Sequence, residues 1–419
     1  MKILLAYGRS GLEVELPDEF EVIRPVHVPG LKDEAGAIRC ALRQPIGAPS
    51  LHSLVKPGDR VVVAHSDITR ATPNDRLLPP LLAELEQAGV RREDITLLCA
   101  LGAHRKQTEA ETRALLGEAI VERYCCLQHD GSDDAALVSL GQTKFGHPVR
   151  LNRLLVEADF KILTGFIEPH LYAGFSGGPK CVLPGLAGAE SVLSNHGVDM
   201  ISHPNARWGI TEGNPLWEEM MDMALRIDRV FLLNVALNRA REITAVFAGD
   251  LCIAHREGCE FVRRHAMVKV EQPFDVVITT NSGYPLDQNL YQGAKGMSAA
   301  AQIVRQGGAI LLVAACEDGL PGESNYARLL ERAGSLQGVR DMLSQPGFSE
   351  MDQWGVQVQA QVQSKADVYV YSGCLSEEEI GKALLIPCRD LEEALLSLPA
   401  RYGKRVCVLP EGPQVIAYV

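Results

Sequence analysis

Apolar and polar positions along this chain alternate between two spacings, and the alternation repeats. Short unbroken apolar runs at residues 60–64 (Arg60-Val61-Val62-Val63-Ala64) and 94–100 read as buried strands. Between them, residues 80–89 space their leucines at helical intervals and stop at a glycine. Thr108-Glu109-Ala110-Glu111 carries a helix-start pattern. Residues 160–167 and 229–235 predict further strands, and 251–265 a helix. Beyond Val268-Lys269-Val270-Glu271-Gln272-Pro273, which reads as a crossing between domains, the rhythm restarts. It predicts a strand at 274–280, a helix from about 289 to 306, and strands at 309–315, 368–370 and 405–408. Strand–helix alternation of this kind implies an α/β fold. Two domains are expected, 1–267 and a smaller 273–408, with 409–419 free to pack back on the first. Each is expected to be a mostly parallel sheet covered by helices, with the active site in the cleft between them.

Composition narrows the class. With 419 residues the chain is long enough for two sizeable cores. Net charge is −12, and basic residues are mixed among acidic ones. No Lys/Arg stripe marks a nucleic-acid surface, so none is expected. The N-terminal apolar run, Met1-Lys2-Ile3-Leu4-Leu5-Ala6-Tyr7, is too short for a signal peptide. No stretch approaches the roughly 18 apolar residues of a membrane span. A cytoplasmic protein with no membrane partner is expected. The eleven cysteines are odd in number and contain no Cys-x-x-Cys. Those in apolar runs, Cys99, Cys252, Cys316 and Cys407, read as reduced core thiols, and a zinc ribbon is excluded.

The chemistry concentrates where predicted strands end. After the first comes His65-Ser66-Asp67-Ile68-Thr69-Arg70-Ala71-Thr72-Pro73, with hydroxyls, a carboxylate and a guanidinium suited to an anion or to helix capping. After the second comes Leu101-Gly102-Ala103-His104-Arg105. After the third comes the densest stretch, Glu168-Pro169-His170-Leu171-Tyr172-Ala173-Gly174-Phe175-Ser176-Gly177-Gly178-Pro179-Lys180, followed by Asn195-His196. It suits neither helix nor strand and reads as a site loop that brings backbone close to a ligand. His104 and His170 could form an acid/base pair, and Lys180 a nucleophile or tether. No Walker loop and no Gly-x-Gly-x-x-Gly is present. Opening the second domain, Tyr291-Gln292-Gly293-Ala294-Lys295 sets Gln292 and Lys295 on one helical face, where they could hold a carboxylate. Trp354 is a further feature.

Taken in order, these segments resemble the nickel-dependent lactate racemase family. The resemblance runs from Ser66-Asp67-Ile68-Thr69-Arg70 to Lys295 and is most specific in Ala173-Gly174-Phe175-Ser176-Gly177-Gly178-Pro179-Lys180. It implies interconversion of the two hands of a 2-hydroxy acid, lactate or a related acid, by hydride transfer. The implied cofactor is a nickel-pincer nucleotide with Ni(II), pyridinium-3-thioamide-5-thiocarboxylic acid mononucleotide, made by dedicated cofactor-synthesis proteins. By the same resemblance Lys180 tethers the cofactor and His196 ligates nickel. His104 and His170 are the paired acid/base residues. Asp67, Thr72, Ser176, Gly177 and Gly178 bind the cofactor, while Arg70, Tyr291, Gln292, Lys295 and Trp354 bind or orient the substrate. One departure is Ala71, where many members carry proline.

Two other readings use the same residues. A zinc metallohydrolase would use His104, His170 and His196 as ligands, but gives Lys180, Gln292 and Lys295 nothing to do. A non-catalytic carrier of the nickel cofactor would need Lys180 and His196 but neither base.

Overall fold

The computed structural model describes residues 1–320 and 324–419. The chain divides into two compact units. The first comprises His27–His196 and His203–Arg264; the second comprises Met1–Val26, Gly197–Ser202 and His265–Val419.

The first unit is built on a six-stranded sheet: β1 (Val61–Ser66), β2 (Ile95–Ala100), β3 (Cys125–Gln128), β4 (Phe160–Phe166), β5 (Val230–Leu237) and β6 (Ile243–Gly249), in the order β3-β2-β1-β4-β5-β6. All pairings are parallel except β5 with β6. Every position of β4 is buried, as are the first five of β1, which is why these strands are continuous apolar runs. Helices bury their apolar stripes on them. Leu77, Leu81 and Leu85 of the helix Asn74–Gln87 join Val61, Val63, Leu97 and Ile162 in one core. The order is decisive for function. From β1 the chain builds outward to β2 and β3, then returns to place β4 on the other side of β1. Connections at the carboxyl ends of β1 and β4 therefore leave in opposite directions and open a crevice, where ligands bind in doubly wound sheets.

The second unit carries β7 (Phe274–Thr280), β8 (Val304–Val313), β9 (Ala366–Tyr371), β10 (Ile386–Pro387) and β11 (Val406–Leu409). Their order is β10-β9-β8-β7-β11, with the short strand Glu21–Val22 outside β11, and all are parallel. Alternate residues serve opposite faces. Val277, Ile310 and Leu312 pack with Leu290 and Met297, whereas Val276, Ile278 and Leu311 pack with Leu391 and Leu395.

Several details depart from the sequence expectation. The first 26 residues lie in the second unit, because Glu21 and Val22 pair with Cys407 and Val408. Residues 409–419 also stay there, Ile416–Tyr418 pairing with Met267–Lys269. The helix expected to reach 306 ends at Ala301, since Ile303 already accepts the Phe274 amide and Val304 opposite Phe274 begins β8. The hairpin Leu137–Gln142 with Pro148–Asn152 gave no apolar run to find, being largely exposed on its first strand. Cys99, Cys316 and Cys407 are buried and unpaired as expected, but Cys252 is exposed on the helix Leu251–Ala266. Among the described residues, no helix is long and apolar enough to cross a membrane.

Candidate active site

Three loops at the carboxyl edge of the first unit's sheet hold its candidate residues. The loop after β1 closes on Asp67, which is buried. Asp67 Oδ1 accepts the Thr69 amide at 3.0 Å and the Thr69 hydroxyl at 2.6 Å. Its Oδ2 lies 2.5 Å from Nδ1 of His104, whose ring is otherwise partly exposed. Burial alone would raise the Asp67 carboxyl. Hydrogen bonds from His104 and Thr69, with the Arg70 charge, outweigh it and hold the group below the usual carboxylate range. The structure thus puts Asp67, which the resemblance assigns to cofactor binding, on a histidine. The pair has the form of an oriented base: a carboxylate on Nδ1 turns Nε2 outward. Thr72 is buried and accepts the Ser66 hydroxyl at 2.6 Å. Gln107, which the sequence did not point to, ties this loop to the next by accepting the Ile68 amide at 2.7 Å.

The loop after β4 is fixed from within. Ser176 Oγ accepts the Glu168 amide and donates to the Phe166 carbonyl at 2.9 and 3.0 Å. Gly177 and Gly178 have φ of +73° and +51°. Side chains are also excluded by space: a Cβ on Gly177 would stand 2.5 Å from Asn234 Oδ1, and one on Gly178 2.5 Å from the His255 ring. The Gly178 amide donates to Asn234 at 2.8 Å, and His255 Nε2 pairs with the Ser176 carbonyl at 3.0 Å. Ser176, Gly177 and Gly178 therefore shape the loop. Asn234 had a sequence signal, a polar side chain inside the apolar run Phe231-Leu232-Leu233-Asn234-Val235, which must find a partner when buried. His255, one of two histidines on an amphipathic helix, had none. Gly178→Ala is expected to lower stability by roughly 1–3 kcal/mol, through positive φ and overpacking. Chemical denaturation of the purified variant measures this.

Lys180 follows in a single tight turn, Gly178–Cys181, and the chain then contacts the second loop, the Gly102 amide donating to Gly185 at 2.9 Å. His170, Lys180 and His196 surround one ring. Tyr172 stands edge-on to His170 at 4.6 Å between centroids and to His196 at 5.2 Å, with Lys180 Nζ 5.8 Å from its centre. The Ala173 amide donates to His170 Nδ1 at 3.3 Å. His196 is buried at the end of the helix Ala189–Asn195, and its Nδ1 lies 3.2 Å from the Val192 carbonyl. Burial, with the nearby Lys180 charge, pushes its imidazole down to about 3. At neutral pH His196 is therefore uncharged. A Nδ1–H given to the carbonyl makes Nε2 the lone-pair nitrogen, the state a metal requires of a histidine. Among the described residues, no group of three or more His, Cys, Asp and Glu is placed to hold a metal ion. A three-histidine zinc centre lacks its ligand set. A metal whose other donors belong to a nucleotide needs only one protein ligand, and the donor chemistry of His196 beside Lys180 fits that group.

The second unit holds the remaining candidates. Asn289 caps the helix Leu290–Ala301 by accepting the Gln292 amide at 3.1 Å, which sets half-buried Gln292 and Lys295 on the first turns. Buried Asp287 anchors the approach, accepting the Gly8 and Ala315 amides at 2.7 and 3.1 Å. Trp354 Nε1 donates to the Tyr291 hydroxyl at 2.9 Å, so these two form a pair.

Comparison with known proteins identifies the family. Residues 7–209 match the family model of the lactate racemase N-terminal domain, and residues 269–417 that of the lactate racemase C-terminal domain. The lactate racemase of Thermoanaerobacterium thermosaccharolyticum is 35% identical over 429 aligned positions, covering 99% of this chain and 98% of that protein. That of Lactiplantibacillus plantarum is 35% identical over 386, covering 91% of each. The solved lactate racemase apoprotein from T. thermosaccharolyticum superposes over 100% of both chains with a TM-score of 0.93. A Thermotoga maritima protein shares the fold at 20% identity, with a TM-score of 0.70 over 91% of this chain and 97% of that one. The fold and these relatives define an enzyme of the racemase class. The chain belongs to the lactate racemase family.

Proposed function

We propose that this chain is a cytoplasmic enzyme that interconverts the enantiomers of a 2-hydroxy acid, lactate or a close relative. His104 and His170 act as its proton-transfer groups, and Lys180 and His196 hold a nickel-pincer nucleotide. The observation that carries the reading is the placement of the histidines. They follow β2 and β4, the two strands that flank β1. Those strands are roughly 10 Å apart, twice the interstrand spacing, so the loops that carry the two histidines leave the sheet on either side of β1. The C2 hydrogen of a 2-hydroxy acid is too weakly acidic for an imidazole to remove as a proton, so the reaction needs a hydride acceptor. A nickel-pincer nucleotide, when bound, supplies reversible acceptance of that hydrogen as hydride.

The protein's own groups then do the rest. One histidine takes the hydroxyl proton as the C2 hydrogen leaves, giving a planar 2-keto acid. Return of hydrogen to the other face, with the proton supplied by the other histidine, gives the opposite enantiomer. Asp67 keeps His104 in the tautomer that presents Nε2. Arg70 is assigned to the carboxylate, which a guanidinium can hold with two parallel hydrogen bonds. A carrier of the cofactor has no use for the Asp67–His104 pair, which favours catalysis.

The direct test is to produce the protein with nickel and the cofactor-synthesis proteins, verify an adduct by intact mass, and follow each lactate enantiomer by chiral chromatography. Both are expected to converge on the racemate. An adduct-bearing protein that converts neither lactate nor any related 2-hydroxy acid overturns the reading. In the same assay Asp67→Asn is expected to lower turnover about 10²–10⁴-fold, through loss of the charge and tautomer that orient His104. Its nickel content is expected to stay unchanged. Loss of nickel instead would return Asp67 to cofactor binding.

A further inference from the structure

His104 and His170 are held in different ways. His104 is partly exposed and is gripped by polar groups, Asp67 Oδ2 and Thr69 Oγ1. His170 is buried, its Nδ1 taken by the Ala173 amide, and one face of its surroundings is the edge-on ring of Tyr172. The same ring meets His196 at an interplanar angle of 84° and lies below the Lys180 ammonium. Tyr172 is itself fixed. Its carbonyl accepts Asn214 Nδ2 at 2.8 Å, and Asn214 caps the helix Pro215–Ala224 through the Leu216 amide. A helix end therefore ties down the backbone of the residue whose ring lies against three side chains.

We infer that Tyr172 is a positioning residue that holds His170 in register with Lys180 and His196, so that the half-reaction of one enantiomer depends on its ring and that of the other does not. The inference rests on the two-base reading above and deepens it. An edge-to-face ring fixes an imidazole's tilt without competing for its nitrogens, and a ring shared by three groups keeps their spacing constant. Its hydroxyl is not part of the argument, so phenylalanine is expected to suffice.

The experiment uses the nickel-loaded protein with Tyr172→Phe, Tyr172→Leu and His170→Ala, each checked for folding by thermal unfolding. Single-turnover oxidation of each lactate enantiomer to the 2-keto acid is measured separately, as is nickel release to a chelator. Tyr172→Phe is expected to stay within about 3-fold of the parent. Tyr172→Leu is expected to lose about 10–100-fold, the range for groups that orient a reactive side chain, on the enantiomer that His170→Ala disables. It is expected to lose under about 3-fold on the other and to release nickel faster. Should Tyr172→Leu not fold, Tyr172→Met, which fills the space without a ring, takes its place. Equal losses on both enantiomers, or no loss, overturn the inference while the two-base reading stands. If His170→Ala itself shows no preference for one enantiomer, the two-base reading falls and the inference with it.

Discussion

Replacing either His104 or His170 with alanine is expected to stop net racemisation in both directions while sparing, in each variant, the half-reaction of one enantiomer. In the proposed mechanism full conversion uses both bases, one for each face of the planar keto acid, so either loss blocks passage from one hand to the other. Exchange on a single face uses only one base. The remaining histidine can pass the hydroxyl proton back and forth on its own side. Positioned acid/base groups contribute about 10²–10⁴-fold, and losses of that order are expected for the disabled half. The two variants should fail on opposite enantiomers. The measurement is return of a C2-deuterium label and formation of keto acid, followed separately for each pure enantiomer. Failure of both variants on the same enantiomer would mean that the histidines do not address opposite faces. The placement of their loops beyond β2 and β4, on either side of β1, makes that outcome the critical one.

The parts of the fold legible in the sequence are those where burial dictates composition. Phe160–Phe166 and Phe274–Thr280 are buried nearly end to end, and their apolar runs gave them away. The candidate loops were legible for the opposite reason: Gly177-Gly178 beside Lys180 has no role in a helix or strand. What stayed hidden depends on contacts distant in sequence. The pairing of Glu21–Val22 with Val406–Leu409 closes nearly the whole chain length, and nothing local encodes it. Asp67 and His104 were each legible, but their pairing was not, because the two lie 37 positions apart on separate loops. Tyr172 sat within the most conspicuous motif and was passed over, since an aromatic residue among glycines reads as packing. Here the packing is against His170, Lys180 and His196.

This packing also explains how a fully buried imidazole and an ammonium coexist near one ring. Burial and Lys180 together keep His196 uncharged, so it does not repel the lysine at working pH, and the aromatic face of Tyr172 is attractive to the ammonium.

Lys180→Arg separates attachment from charge, and it is expected to abolish both the covalent adduct and all turnover. Alanine at this position removes the amine, the ammonium beside His196 and the contact with Tyr172 together, so its inactivity alone is ambiguous. Arginine keeps a cation over the Tyr172 ring but offers no nucleophilic amine, since its guanidinium stays protonated. Both variants should fold. Lys180 is half-buried, and the turn around it is set by the backbone bond from the Lys180 amide to the Gly177 carbonyl and by the two glycines, not by its side chain. Stability within about 1 kcal/mol of the parent is expected. The decisive readout is intact mass after production with nickel and the cofactor-synthesis proteins, with peptide mapping of the parent to locate the modified lysine. An adduct on Lys180→Arg, or an adduct mapped to another lysine in the parent, removes Lys180 from the tether role. Turnover without any adduct would go further: it would require hydride chemistry from a group held by His196 and the loops alone. Three half-buried or buried side chains around Tyr172 would then be binding the group non-covalently, and Lys180→Ala would weaken retention of that group in dialysis in proportion to the charge it removes.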